Sequence, residues 1–245
     1  MTWRAIAVTR MPVAPAAVMR QIDREAQTRF GIEPRQLMEV AGFQVARFIE
    51  GWVHGAREKR IAVVAGAGHN GGDGLVAARF LAQRGAHVSA WLVEPRSPQS
   101  LAAIHARTLR AMEIPCAPAS GDMRLVADLI VDGLLGTGIT LPLREPAPTL
   151  IHAMNQSGVP IVAIDLPSGL DADSADGDAG AVQAVATITL GLPKPALATA
   201  RSCGRVFLAD IGLPAALFGP AEAAARAIYR EGDLLELVRP DQPPS

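Results

Sequence analysis

Residues Ile61 to Gly85 read IAVVAGAGHNGGDGLVAARFLAQRG, an apolar run, a glycine-rich turn and a helix-forming run in direct succession. Ile61 to Ala65 is too short for a buried helix, and a short apolar run bounded by glycine reads as a buried parallel strand. Gly66, Gly68, Gly71, Gly72 and Gly74 follow; glycine allows positive φ and lets a ligand approach the backbone. Leu75 to Arg84 then takes up a helical pattern. Strand, turn and helix in that order open a doubly wound α/β sheet.

The same alternation extends downstream. Short apolar runs at His87 to Val93, Leu129 to Val131, Ile161 to Ile164, Ala186 to Leu190 and Arg205 to Ala209 read as further strands. Pro98 to Met112 and Thr149 to Gln156 read as helices between them. The expected architecture is a Rossmann-like, doubly wound and mainly parallel sheet flanked by helices. Upstream, Val18, Ile22 and Ala26, then Leu37, Met38, Ala41, Val45, Phe48 and Ile49, recur at helical spacing, which predicts two leading N-terminal helices. Pro34 suits the first turn of the second. The Ala-rich stretch Pro214 to Tyr229 predicts a last helix, and residues 1–238 are expected to form one domain. Residues 239–245, RPDQPPS, read as a tail or truncated linker.

Composition excludes several classes. Of 245 residues 49% are hydrophobic and 19% charged, with a net charge of −1, which is not the balance of a disordered chain. No basic stripe offers a footprint for nucleic acid. The longest uncharged window, Pro146 to Ile164, carries three prolines and Asn155, Gln156 and Ser157, too broken for a span of about 20 apolar residues, so no membrane association is expected. Arg4 and Arg10 interrupt any secretory h-region, and Cys116 and Cys203 match no metal or redox spacing; a cytoplasmic protein with reduced thiols is the expectation.

Chemistry gathers at three strand ends. Gly66, Gly68 and Gly71 satisfy GxGxxG, and Glu94 closes the next strand, so an NAD-dependent oxidoreductase has to be considered. Glu94 lies 28 residues after Gly66, however, where about 20 is usual, and Asp73 would set a like charge beside a pyrophosphate. Asp73 reads either as the N-cap of a helix beginning at Leu75 or as a ligand group. The second strand end, LIVDGLLGTGIT, stops at Asp132 before Gly133, Gly136 and Gly138; the third, IVAIDLPSGLDAD, stops at Asp165 before Pro167, Ser168 and Gly169. A single aspartate after a strand is ordinarily a turn or cap residue, but three such ends converge on one crevice in an open α/β sheet. Asn70, Asp132 and Ser168 offer hard oxygens, suited to an alkali or alkaline-earth ion.

These blocks, with LMEVAG at Leu37 to Gly42 and GLPKPAL followed by GRVFLADIGLP, resemble the NAD(P)H-hydrate epimerases built on the YjeF N-terminal domain, over almost the whole chain. The resemblance implies an isomerase that interconverts the R and S epimers of NADH and NADPH hydrated at C6 of the nicotinamide ring (NADHX and NADPHX). By matching positions it implies substrate contacts at His69, Asn70, Gly71, Gly72 and Asp73, at Gly136, Thr137, Gly138, Ile139, Thr140, Leu141 and Pro142, and at Asp165. It further implies a potassium ion held by Asn70, Asp132 and Ser168. Asp165 is the candidate for exchanging a proton with the substrate oxygen, with Asp73 in reserve as a helix cap that orients Asn70. The sequence departs from the family pattern at His69, where Asn is common, and in GTGITLPLREP, which leaves Arg144 as the nearest cation for a phosphate. Lys194 would ordinarily be a solvated surface lysine, with approach to the ligand as the alternative. The resemblance also implies coupling to an ADP- or ATP-dependent NAD(P)H-hydrate dehydratase and a homodimer formed through the first two helices. The alternatives are a non-catalytic nucleotide-binding or scaffold module of the same fold and, further off, the oxidoreductase.

Overall fold

The computed structural model describes residues 3–95 and 97–239. Its elements run β1 (Arg4–Ala7), α1 (Ala16–Phe30), α2 (Pro34–Trp52), β2 (Arg60–Ala65), α3 (His69–Gln83), β3 (His87–Leu92), α4 (Leu101–Ala111), β4 (Cys116–Pro118), β5 (Leu129–Gly133), α5 (Ala147–Gln156), β6 (Ile161–Ile164), β7 (Ala186–Leu190), β8 (Arg205–Ala209), α6 (Glu222–Tyr229) and β9 (Leu234–Val238). One nine-stranded sheet has the order β1-β9-β8-β7-β6-β5-β2-β3-β4, parallel except where β9 meets β8. The two leading helices and the alternating core strands are where the hydrophobic pattern put them. Residues of β5, β6 and β7 are buried throughout, as continuous apolar runs require when helices cover both faces.

Three strands escape the sequence reading, and all lie at or next to the sheet edges. β1 has one buried residue in four, β4 is three residues ending in proline, and β9 follows the last helix and lies antiparallel to β8. The Pro214 to Tyr229 stretch is not one helix. A 3-10 segment covers Ala215–Ala221, and Gly219 at φ 54° with Pro220 breaks it from α6. The first residue of the expected tail, Arg239, is buried and donates to the Ala200 carbonyl oxygen; residues 240–245 lie outside the described residues.

α2 begins as the sequence suggests. Pro34 occupies its first turn, and a capping box joins Glu33 and Gln36, satisfying two otherwise unpaired amides. α1 is tied at its start to distant loops, because Ala14 N donates to Pro193 O (2.9 Å) and Ala16 N to Asp173 Oδ1 (2.7 Å). Pro193 lies just past the end of β7 and Asp173 in the loop that follows β6, so α1 is anchored on loops at the carboxyl edge. Strand order reverses around β2, which pairs with β3 on one side and β5 on the other. In open α/β sheets that reversal opens a crevice at the carboxyl ends of the strands.

Candidate active site

A cleft of about 1200 Å³ opens at that edge. Its floor is the turn from β2 into α3. Gly68, not Asp73, is the residue preceding the helix, which starts at His69. Asp73 is therefore inside α3 and caps nothing; the apolar periodicity that begins at Leu75 hid the first turn and a half, which is made of glycines and polar residues. His69, Asn70 and Asp73 line the cleft, whereas Gly71 and Gly72 do not. These two glycines serve packing: a Cβ on Gly71 would sit 1.8 Å from Gly66 O, and one on Gly72 would sit 2.5 Å from the Met38 side chain. Gly68 faces open space.

The loop after β5 supplies Gly136, Thr137, Gly138, Ile139, Thr140, Leu141 and Pro142, all lining the same cleft, as does Arg144. Asp165 lines it from the end of β6. There the chain turns sharply: Asp165 has φ 65°, its N–H still donates to Ile188 O, and Leu166 N donates back to Ile164 O. A left-handed conformation at a non-glycine residue is held only where the surroundings enforce it. Here Asp165 Oδ1 accepts from Leu190 N (3.1 Å), Thr189 Oγ1 (3.2 Å) and Lys194 Nζ. No hydrogen bond to Asp165 Oδ2 is formed among the described residues, which leaves one carboxylate oxygen for the cleft.

Lys194 corrects the expectation of a solvated lysine. It is 2% exposed, and its ammonium also donates to Leu190 O (3.0 Å) and Thr189 Oγ1 (3.3 Å). A buried ammonium is tolerated because a carboxylate pairs with it and its three donors all have acceptors. No local pattern signals this, since the partner lies 29 residues away.

Asp73 and Asp165 share the cleft in contrasting settings. Asp165 is ion-paired to Lys194, while burial, followed by the like charges of Asp165 and Asp23, pushes Asp73 well above the usual carboxylate range. Asp23 is a site residue that sequence reasoning missed. It enters from α1, on the same side as Met19, Arg20 and Arg24, which also line the cleft. Enclosure by the cleft, then the negative charge of Asp165, raises Asp23, opposed by Lys194. Its only sequence signal is the four-residue step from Met19 on an otherwise polar face.

Asp132 and Ser168 lie beneath the lining, 0% and 1% exposed. Asp132 Oδ1 accepts from Ser168 Oγ (2.6 Å) and Leu134 N (3.1 Å), and Oδ2 accepts from Ser168 N (2.8 Å). Asn70 Nδ2 donates to Leu135 O (2.6 Å), and Leu135 N donates to Ser168 Oγ (2.8 Å). The three residues thus converge on one backbone segment, and their side chains offer the Asp132 carboxylate, the Ser168 hydroxyl and the Asn70 amide oxygen beside the Leu135 carbonyl. Burial pushes Asp132 up to about 6 against the hydrogen bonds from Ser168 and Leu134, and among the described residues no lysine or arginine pairs with it. Such a donor set fits a monovalent hard cation. Glu94, the ribose candidate of a dehydrogenase, instead pairs with Arg110 at the surface (3.1 Å).

Residues 34–196 match the family described as YjeF-related protein N-terminus. Over 194 residues the chain is 37% identical to a protein of Thermofilum pendens named bifunctional NAD(P)H-hydrate repair enzyme Nnr, covering 75% of this chain and 36% of the relative. A protein of the same name from Archaeoglobus fulgidus is 38% identical over 204 residues, covering 80% and 41%. The chain spans about two fifths of the length of these relatives. The crystal structure of yeast ynu0 superposes with a TM-score of 0.74 at 24% identity, covering 86% of this chain and 93% of that one, a likeness of fold.

Proposed function

Since the chain belongs to the family of the YjeF-related protein N-terminus, we propose that it is an NAD(P)H-hydrate epimerase, interconverting the R and S forms of NADHX and NADPHX. The observation that carries the reading is the pair of carboxylates facing one cleft, Asp165 tied to an ammonium and Asp73 driven toward its protonated form. A carboxyl group raised by burial beside a carboxylate paired with an ammonium provides for separate acid and base roles.

C6 of the hydrate bears a hydroxyl and the ring nitrogen. Inversion proceeds either by loss of water to an iminium and readdition on the other face, or by opening and reclosing the C6–N1 bond. Each route needs one group that gives a proton and one that takes it. In the iminium route, Asp73 protonates the departing hydroxyl, the C–O bonding pair leaves with water, and Asp165 Oδ2 takes a proton from the water that adds back. General acid–base help of this kind is worth about 10² to 10⁴ in rate. Lys194 holds Asp165 in place through Oδ1, leaving Oδ2 for the substrate. His69, Asn70 and the loop from Gly136 to Pro142 are the proposed substrate walls, with Gly71 and Gly72 shaping the turn behind them.

Potassium is the proposed ion at Asn70, Asp132 and Ser168, where it would offset the buried carboxylate and stiffen the three loops. The bifunctional name of the relatives, and the share of them that this chain spans, support coupling to an NAD(P)H-hydrate dehydratase. Residues 1–238 are proposed as one domain. Exposed Val18, Phe30, Val40 and Phe43 on α1 and α2 support a homodimer through these helices. Among the described residues no helix is long and apolar enough to cross a membrane; the free state of Cys116 and Cys203 accords with a cytoplasmic setting.

The test mixes R and S NADHX with a dehydratase that consumes only the S form. Complete consumption, faster than spontaneous epimerisation and dependent on potassium, supports the proposal. Nucleotide binding without acceleration would replace it with a binding module.

A further inference from the structure

We infer that Arg20 and Arg24 of α1, together with Arg144 of the loop after β5, form the phosphate-holding part of the cleft; the inference rests on the dinucleotide reading above. A dinucleotide diphosphate brings two negative charges into a cleft already lined by Asp23, Asp165 and Glu145. Like charges at short range oppose entry unless cations face the phosphates. Lys194 is not available for this, because its three donors are committed to Asp165, Thr189 and Leu190. Arg20, Arg24 and Arg144 also line the cleft, and among the described residues their guanidinium groups form no ion pair or hydrogen bond.

Arg20 and Arg24 are four residues apart in α1, so they project from one helix face. That helix is fixed over the strand ends by the bonds from Ala14 to Pro193 and from Ala16 to Asp173. The two arginines are thus carried by an anchored element on the same loops that follow Asp165 and precede Lys194. Arg144 comes from a separate element, so cations reach the cleft from two sides of the chain. Planar, always-charged guanidinium groups match phosphate oxygens in pairs. The second turn of α3 sets Asp73 on the cleft, and α1 supplies the charge that the loop after Gly138 has only in Arg144.

The test is calorimetric binding of ADP-ribose to the whole protein at fixed KCl, with ionic strength varied by choline chloride, beside steady-state epimerisation of NADHX. Arg20→Ala/Arg24→Ala and Arg144→Ala are compared with wild type, with Arg57→Ala as control; Arg57 is exposed and outside the cleft. The double variant and Arg144→Ala are each expected to raise the ADP-ribose Kd and the NADHX KM about tenfold or more, with kcat far less affected and a shallower salt dependence. Arg57→Ala is expected to change none of these. Unchanged Kd, KM and salt slope in the cleft variants, or no ADP-ribose binding by wild type, would overturn the inference. If wild type epimerises NADHX and the variants keep its KM, only the phosphate site falls. If wild type binds ADP-ribose through these arginines without epimerising, only the activity falls.

Discussion

Replacing Lys194 with Met tests whether the ammonium under Asp165 is the strut described above. Methionine keeps the length of the stem and removes the charge with its three hydrogen bonds. Removing one partner of a buried pair costs about 3 to 5 kcal/mol, because the other charge is left uncompensated. Asp165 retains 14% side-chain exposure and its bonds from Leu190 N and Thr189 Oγ1, which places the expected loss near the low end, about 3 kcal/mol. For a chain of this length that is a fall in Tm of roughly 6 to 12 °C. Asp165→Asn/Lys194→Met removes both charges, and the amide oxygen still accepts from Leu190 N. The double variant should therefore be more stable than Lys194→Met alone, with a coupling of about 2 kcal/mol. Urea unfolding followed by far-UV circular dichroism gives the three differences at a common m-value. A loss below about 1 kcal/mol for Lys194→Met, or strict additivity in the double variant, would refute the buried pair.

Asp73→Asn should abolish epimerisation while stabilising the fold above neutral pH. Burial raises the folded-state titration of Asp73, so wild-type stability from this site is greatest below the unfolded carboxylate pKa and declines as pH rises through the folded one; Tm scans of both proteins from pH 5 to 8 should diverge with the variant higher at pH 8. Gly71→Ala should cost about 3 kcal/mol or prevent folding, since its Cβ meets the backbone at Gly66 O, whereas Gly68→Ala, with open space beside it, should stay within about 1 kcal/mol; equal melts for the two would contradict the packing assigned to the turn. Cys203, buried and pushed up to about 12, is expected to resist iodoacetamide at pH 8 in the native protein, where the thiolate fraction is about 10⁻⁴; labelling as fast as in urea would show that the turn before β8 opens.

The core strands were legible because burial on both faces leaves no choice but continuous apolar residues, as in Ile161 to Ile164 and Ala186 to Leu190. β1 and β4 were not, because an edge strand tolerates Arg4 or Pro118 and shows little alternation. The aspartates at strand ends were readable from where each apolar run stops. Which of them would be paired was not, since Lys194 acquires its partner only through the crossover between β6 and β7. Of the two readings of Asp73, cap or ligand group, the cap fails for a related reason: helix periodicity is carried by apolar residues, and the first turn of α3 has none. The contribution of α1 required the fold itself, since two loops more than 150 residues downstream anchor it.

The pairing of Arg4–Ala7 with Leu234–Val238 sets a schedule for synthesis. Among the described residues β1 has its only sheet neighbour in β9, so on the ribosome it waits for more than 220 further residues to emerge, roughly 10 to 50 s at usual elongation rates. During that interval Ile6 lacks the neighbouring strand against which it is buried, whereas α1 can dock once the loops carrying Asp173 and Pro193 have emerged. The doubly wound middle can consolidate earlier, which makes this edge the last part of the sheet to be finished.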